Sequence, residues 1–205
     1  MNWRVAAFVL FVFGCGMAAG AQPKKTPAKP AKPAAKAEDE AQVFRNATFG
    51  FRYEIPYGWV NRTKELREGS EAGKEEVLLA VFEHPPEATA STINAAVVIA
   101  AESVTSYPGL KRVEDYAGPL TELATAKGFK ADGDPYLVEE DSRQLLRADF
   151  VKTISDKLTM WQSTLVLLSK GQIVSFTFIA GSEDEMDELM DGLQFGAGKT
   201  PVPAR

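Results

Sequence analysis

His84 is the one histidine and Cys15 the one cysteine in 205 residues, and that scarcity decides much of the chemistry open to the side chains. A zinc site, an iron–sulfur cluster, a CxxC redox pair and an intrachain disulfide framework all need more ligands or thiols than this. A hydrolase triad would have to use His84 as its base, and no G-x-S-x-G elbow supplies a matching serine. His84 stands in Glu83-His84-Pro85-Pro86, at the end of a strand pattern and before a rigid turn, and reads as a loop residue. Carboxylates are the remaining chemistry. Glu183, Asp184, Glu185, Asp187, Glu188 and Asp191 crowd one segment, but acids at a helix start interact favourably with its dipole without any metal, so they read as a solvated face. Asp132-Gly133-Asp134 and Glu139-Glu140-Asp141 have the composition of a calcium loop without its Gly at the sixth place or its Glu at the twelfth. Glycosidase-type catalysis needs only two carboxylates and survives this elimination. Gly198-Lys199-Thr200 copies the end of a phosphate-binding loop, yet Leu193 occupies the place of its first Gly, and Pro201 and Pro203 forbid the helix that must follow. The expectation is a non-enzyme with no catalytic residue, no metal ligands and no cofactor, and with its ligand-binding residues, if any, unassigned.

Any such groups would have to be positioned by elements that the apolar spacing outlines. In RQLLRADFV, Leu146, Ala148 and Phe150 share one face while Arg147 and Asp149 take the other, the period of two of a strand. LTMWQSTLVLL places Trp161, Leu165 and Leu167 on one side. In QIVSFTFIA, Val174, Phe176 and Phe178 alternate with Ile173, Ser175, Thr177 and Ile179. The links Ser155-Asp156-Lys157 and Ser169-Lys170-Gly171 are short, which predicts an antiparallel three-stranded meander, and its partial apolarity on both faces predicts cover on both sides. Phe49, Phe51, Tyr53 and Ile55 outline a strand ended by Pro56, and EVLLAVFE and INAAVVIAAESV two more. The aromatics of that first strand read as core, and Tyr57 and Trp59 as more exposed. Turns and loop are expected between 56 and 76, for five or six strands in all. Helices are predicted over about 112–127, kinked at Gly118-Pro119 and capped by Gly128, and from Ser182 onward through Met186, Leu189, Met190 and Leu193, with Ser182 and Glu185 as a capping box. The result is α+β: an antiparallel sheet with helices packed on it. Asn46-Ala47-Thr48 and Asn61-Arg62-Thr63 match glycosylation acceptors, a frequent chance pattern.

The N-terminal fifth has a different character. Arg4 precedes the apolar run 5–14, too short for the roughly 20 residues of a membrane-spanning helix and suited to a secretory signal. Two processing sites compete. Ala19-Gly20-Ala21 would allow cleavage between Ala21 and Gln22, giving a signal peptide of residues 1–21. Val12-Phe13-Gly14-Cys15 has the form of a lipobox, with residues 1–14 removed and Cys15 acylated. Residues 22–41 form a linker rich in Lys, Pro and Ala with no large apolar group until the domain begins, the composition of an extended spacer. Its Lys24, Lys25, Lys29, Lys32 and Lys36 could contact an anionic membrane surface. From 42 onward, 17 basic stand against 25 acidic residues, a charge of −8, which argues against nucleic acid as a partner. The domain is read as 42–196, followed by a tail of 197–205.

The segment FRNATFGFRYEIPYGW, 44–59, resembles the opening of PsbP-like (Mog/PsbP-type) domains, where an aromatic strand enters a Pro-x-Gly-Trp turn. The later order is similar too: strands, a middle helix ending in Gly128-Phe129, a long meander, and a last helix running into Leu193-Gln194-Phe195. That resemblance implies an α/β/α sandwich around an antiparallel sheet, and roles in binding and assembly. With the signal and the spacer, it points to an envelope protein, exported to the periplasm or held at the membrane by lipid, whose partner is another protein. The alternative is a periplasmic carrier of a small apolar or lipidic ligand.

Overall fold

The computed structural model describes residues 42–69, 75–85 and 92–196. Cys15, Ala21, Gln22, the five linker lysines and the tail with Gly198-Lys199-Thr200 lie outside the described residues. Among the described residues the strands are β1 Gln42–Asn46, β2 Phe51–Ile55, β3 Val60–Asn61, β4 Glu75–Phe82, β5 Ala96–Ser103, β6 Lys130–Ala131, β7 Tyr136–Glu140, β8 Arg143–Ser155, β9 Leu158–Ser169, β10 Gln172–Ala180 and β11 Leu193–Phe195, and the helices are α1 Thr63–Gly69, α2 Ala117–Ala126 and α3 Glu183–Asp191.

The predicted meander is β8-β9-β10, and it forms the centre of an eight-stranded antiparallel sheet in the order β3-β4-β5-β10-β9-β8-β6, with β7 also paired to β8. Two of its hairpins turn on two residues with positive φ, Asp141 and Ser142 between β7 and β8, and Lys170 and Gly171 between β9 and β10, the geometry whose twist matches that of paired strands. A second sheet, β1-β2-β11, is also antiparallel. The segment Leu193–Phe195, expected to trail the last helix, instead adds a strand to the edge of β2. Gly192 makes that approach possible: a Cβ there would lie 3.0 Å from Tyr53 Cε2 and 3.1 Å from the Glu54 carbonyl oxygen, while the Gly192 carbonyl accepts the Glu54 N–H at 2.9 Å.

The large sheet is covered on both faces, as expected, giving an α+β sandwich. One face presents Val97, Ile99, Leu165, Val174, Phe176 and Phe178 to the small sheet and α3. Phe176 meets Phe51 and Phe195 edge to face, at 4.9 and 5.5 Å between ring centres, a favourable aromatic arrangement. Tyr53, fully buried, donates its hydroxyl to the Leu189 carbonyl at 3.1 Å and so ties α3 to the small sheet. The opposite face carries two separate apolar clusters. Leu146, Ala148, Phe150, Val166 and Ile173 pack under Val113, Tyr116, Leu120 and Ala124. Val77, Ala80, Phe82, Val98 and Ile179 pack with Ile93 and with Leu66 of α1.

Several expectations need correcting. The stretch 56–76 is not all loop: it holds β3 and α1. With Leu66 as its only large apolar residue, α1 has no periodicity to read; it starts instead from a local polar bond, Asn61 Oδ1 accepting the Thr63 N–H at 3.0 Å, and is tied to β4 by Thr63 Oγ1 accepting the Ala80 N–H at 2.9 Å. The helix expected over 112–127 is a 3-10 turn, Val113–Tyr116, running into α2. Pro119 does not kink a longer helix, because it lies in the first turn of α2, where its missing N–H has no acceptor to lose. Gly128, with φ 83°, follows the helix end as predicted. Ser182 caps α3 by accepting the Glu185 N–H at 3.2 Å, but the return bond of the box goes one residue further, from the Gly181 N–H to Glu185 Oε2 at 2.7 Å. Five or six strands undercount the fold, mainly because β3, β6 and β11 hold only two or three residues and β1 and β7 bury no side chain.

Candidate functional site

Between the two apolar clusters, the α2-covered face of the large sheet is polar. Gln162 and Thr164 of β9 and Ser175 and Thr177 of β10 form a floor, with Gln162 Nε2 donating to Thr164 Oγ1 at 3.2 Å and the Thr164 and Thr177 hydroxyls 3.4 Å apart. Thr164 is only 1% exposed, so this polarity is built into the interior. At one end of the floor, Glu75 of β4 and Glu102 of β5 stand directly opposite one another in the strand register. Cross-strand neighbours of this kind have Cβ atoms about 5 Å apart, and like charges there repel.

Tyr107 and Tyr116 hold Glu102. The Tyr107 hydroxyl donates to Oε2 at 2.9 Å and the Tyr116 hydroxyl to Oε1, while the two rings meet edge to face with centres 5.1 Å apart. Both carboxylate oxygens are thereby engaged. Burial raises the Glu102 pKa and the two phenol bonds oppose that rise. Glu75 is pushed up to about 7, by burial first and then by the Glu102 charge, with the Lys127 ammonium opposing. Lys127, just past the end of α2, is pulled down to about 8 by burial, with Glu75 opposing. Tyr107 and Tyr116 are both pushed up by burial, the neighbouring carboxylate adding to it. The group is thus a cluster of coupled ionisable residues, the kind of environment that marks functional sites.

These side chains, with Leu120, Leu123 and Ala124 of α2, line a half-open cleft of about 50 Å³. One water needs roughly 10–15 Å³ on that measure, so the space suits three or four waters or one small polar group. Sequence reasoning passed over Glu75, Glu102 and Lys127. The signal was present as a conflict: polar residues at alternate positions inside otherwise apolar strands, Gln162 and Thr164 in one, Ser175 and Thr177 in the next, and Glu102 at the end of AVVIAAE.

The residues singled out for their chemistry lie elsewhere and are not brought together. His84 is a bend residue after β4, its Nε2 3.4 Å from Glu83 Oε1; its backbone N–H donates to Asn94 Oδ1 at 2.9 Å and its carbonyl accepts from Asn94 Nδ2 at 3.0 Å. The acids of α3 lie on its outer side, with Glu183, Asp184, Asp187, Glu188 and Asp191 exposed while Met186 and Leu189 face the core. Among the described residues, no three His, Cys, Asp or Glu side chains are grouped to hold a metal ion, and no helix is long and apolar enough to cross a membrane. Asp141 shapes a hairpin and accepts the Phe195 N–H at 3.3 Å. Asn46 likewise serves a turn, its Oδ1 accepting the Phe49 N–H at 3.0 Å. Phe49, Phe51 and Tyr53 are core, Trp59 is half-buried against it, and Tyr57 is 83% exposed.

No protein-family model matches the chain, and no curated protein matches it in sequence. Among solved structures it is similar to the cyanobacterial PsbP of Synechocystis, at 13% identity and a TM-score of 0.51, over 80% of this chain and 98% of that one. The Ran-binding protein Mog1p of Saccharomyces cerevisiae aligns at 8% identity and a TM-score of 0.46, over 76% of this chain and 95% of that one. LpqN of Mycobacterium tuberculosis, described as involved in cell envelope biogenesis, aligns at 13% and 0.39, over 78% and 87%. Identities this low speak to architecture alone. With its antiparallel sheet, the helices on both sides and the aromatic strand entering Pro56-Tyr57-Gly58-Trp59, the chain has a PsbP-like fold.

Proposed function

We propose that this is an exported, non-enzymatic protein of the cell envelope, whose domain 42–196 acts as a protein-binding or assembly module. The observation that carries the reading is the change of character at residue 42. A Lys/Pro/Ala stretch with no large apolar group gives way there to β1, the first strand of a sandwich with apolar packing on both faces of its large sheet. A rigid domain carried behind a signal-like apolar run and a spacer is suited to making contacts at a distance from its point of attachment. Cleavage between Ala21 and Gln22 would release it, and acylation of Cys15 would tether it. In either case Lys24, Lys25, Lys29, Lys32 and Lys36 would favour an anionic surface. The lining of the cleft supports binding over turnover: two-carboxylate chemistry would need both Glu75 and Glu102 free to act, and both oxygens of Glu102 are tied to phenols.

The carrier alternative has less behind it. Drug-sized ligands occupy pockets of roughly 300 Å³ and more, and a cleft of about 50 Å³ carrying two carboxylates is too small and too polar for a lipid chain. Cross-linking in intact cells followed by affinity capture of the full chain should recover a discrete envelope protein. Recovery of no partner across several cross-linker lengths would overturn the reading, and mass spectrometry of the mature N-terminus separates the free form from the lipidated one.

A further inference from the structure

A pair of carboxylates opposite one another on adjacent strands of a covered sheet face weakens the fold on two counts, by desolvation and by repulsion. Nothing in the packing requires it, since the same strands fill neighbouring positions on that face with Val77 of β4 and Val98 and Ala100 of β5. Conflicts of this kind between local sequence and global fold tend to fall at functional sites. We propose that the cleft bounded by Glu75, Glu102 and Tyr116 is a binding site for a small organic cation, an alkylammonium or guanidinium group.

Four features of the cleft select that class. Glu102 is fixed in place by two phenol hydroxyls, so its charge does not need to reorganise to meet a guest. Oxygen-bearing side chains on the floor, Thr164, Ser175 and Thr177, can accept further N–H groups. The wall of Leu120, Leu123 and Ala124 suits a short methylene stem. The size, about 50 Å³, matches a single ammonium or guanidinium head. Lys127 lines the same cleft, where burial disfavours its charge and Glu75 offsets part of that cost; a guest cation would take over its influence on Glu75. A metal ion fits less well, because the cleft offers two carboxylates and no third acid or imidazole. Such a site would exist whether or not the domain is exported.

The test is titration of the full chain with putrescine and with ethylguanidine, followed by NMR and calorimetry, using n-butanol and butyrate as neutral and anionic controls. Both cations should bind in the millimolar range or better and shift the signals of Glu102, Tyr107 and Tyr116, while the controls should not. Glu75→Gln should weaken binding at least tenfold, and Lys127→Met should strengthen it severalfold by removing the internal competitor. The groups facing the guest are Glu75, Glu102, Tyr107, Tyr116 and Lys127, with Lys152 donating to the Lys127 carbonyl at 2.8 Å. Because the guest requires Glu75 ionised, affinity should fall about tenfold from pH 8 to pH 6. A capped lysine peptide that binds where putrescine does not would assign the site to a side chain of a partner, and the reverse to free amines. The proposal fails if the wild-type chain shows no cation-specific shifts in the cleft, if butanol binds as well as putrescine, if the shifts map to the acids of α3, or if a folded Glu75→Gln variant binds unchanged.

Discussion

The two faces of the large sheet are built from the same strands and follow opposite rules. Under the small sheet, β10 contributes Val174, Phe176 and Phe178, and the contact is continuous, aromatic and dry. Under α2, the intervening residues Ser175 and Thr177 interrupt the apolar surface, and two clusters are left with a cleft between them. One strand therefore serves stability with its even residues and a polar site with part of its odd ones. Burial of Phe176 and its neighbours supplies stability that the other face can lose at Glu75 and Glu102 without unfolding the domain.

The contrast can be broken most forcefully on the dry face. Phe176 is fully buried between two aromatic partners, and Phe176→Ala should cost about 3–5 kcal/mol through lost burial and the cavity left behind. Urea denaturation checks this. A loss below 1 kcal/mol would mean that the face is not the main source of stability.

On the wet face a substitution should have the opposite sign. A carboxyl held at about 7 in the folded chain and near its ordinary value when unfolded keeps a proton in the native state that the unfolded state releases. Stability therefore falls as pH rises from about 4.5 to about 7, then stays level with respect to this group. Lys127, at about 8 in the folded chain, acts in the other direction, its contribution recovering between about 8 and its ordinary value. The two together place a trough of stability between pH 7 and pH 8. Glu75→Gln should flatten the acid-side slope, leaving the part that the raised Glu102 carboxyl contributes, and stabilise the domain at pH 8 by on the order of 2–3 kcal/mol, read from denaturation curves at pH 5 and pH 8. Tyr116→Phe is a smaller change. It removes one donor from Glu102 and should cost about 1–2 kcal/mol at neutral pH, with the Glu102 carboxyl moving further up as followed by carbon-13 NMR.

The same contrast explains how far the sequence could be read. Alternation is strong where one face of a strand is apolar at successive alternate positions, as in the long β8, β9 and β10 and in the five-residue β2, whose Phe51, Tyr53 and Ile55 are all buried, and Gly128 and Ser182 marked helix ends through their own backbone requirements. Strands of two or three residues, such as β3, β6 and β11, carry no period. They exist because a neighbour offers an edge, as β2 does to Leu193–Phe195. The site was illegible for a related reason: Glu75 and Glu102 are 27 positions apart and meet only through the β4-β5 register. Lys127 joins them from the end of a helix whose placement over the sheet no local pattern specifies. Isolated polar residues in apolar strands were the available trace, and they show that a site exists without showing which distant residues complete it.

The finest comparison uses one residue type on both faces. Ser163 of β9 points into the dry face opposite Phe178 of β10, and its hydroxyl is buried without a hydrogen-bond partner. Ser175 of β10 points the other way and lines the cleft. A buried hydroxyl without a partner carries the full loss of its hydration, whereas one at a wet surface keeps it. Ser163→Ala should therefore stabilise the domain by up to about 1 kcal/mol, because it removes the unmet polar atom and leaves a cavity smaller than a water. Ser175→Ala should change stability by no more than a few tenths of a kcal/mol, while weakening cation binding about twofold. If both substitutions destabilised equally in urea, water or an alternative rotamer would have to satisfy Ser163 as well, and the division between a dry face and a wet one would be a matter of degree.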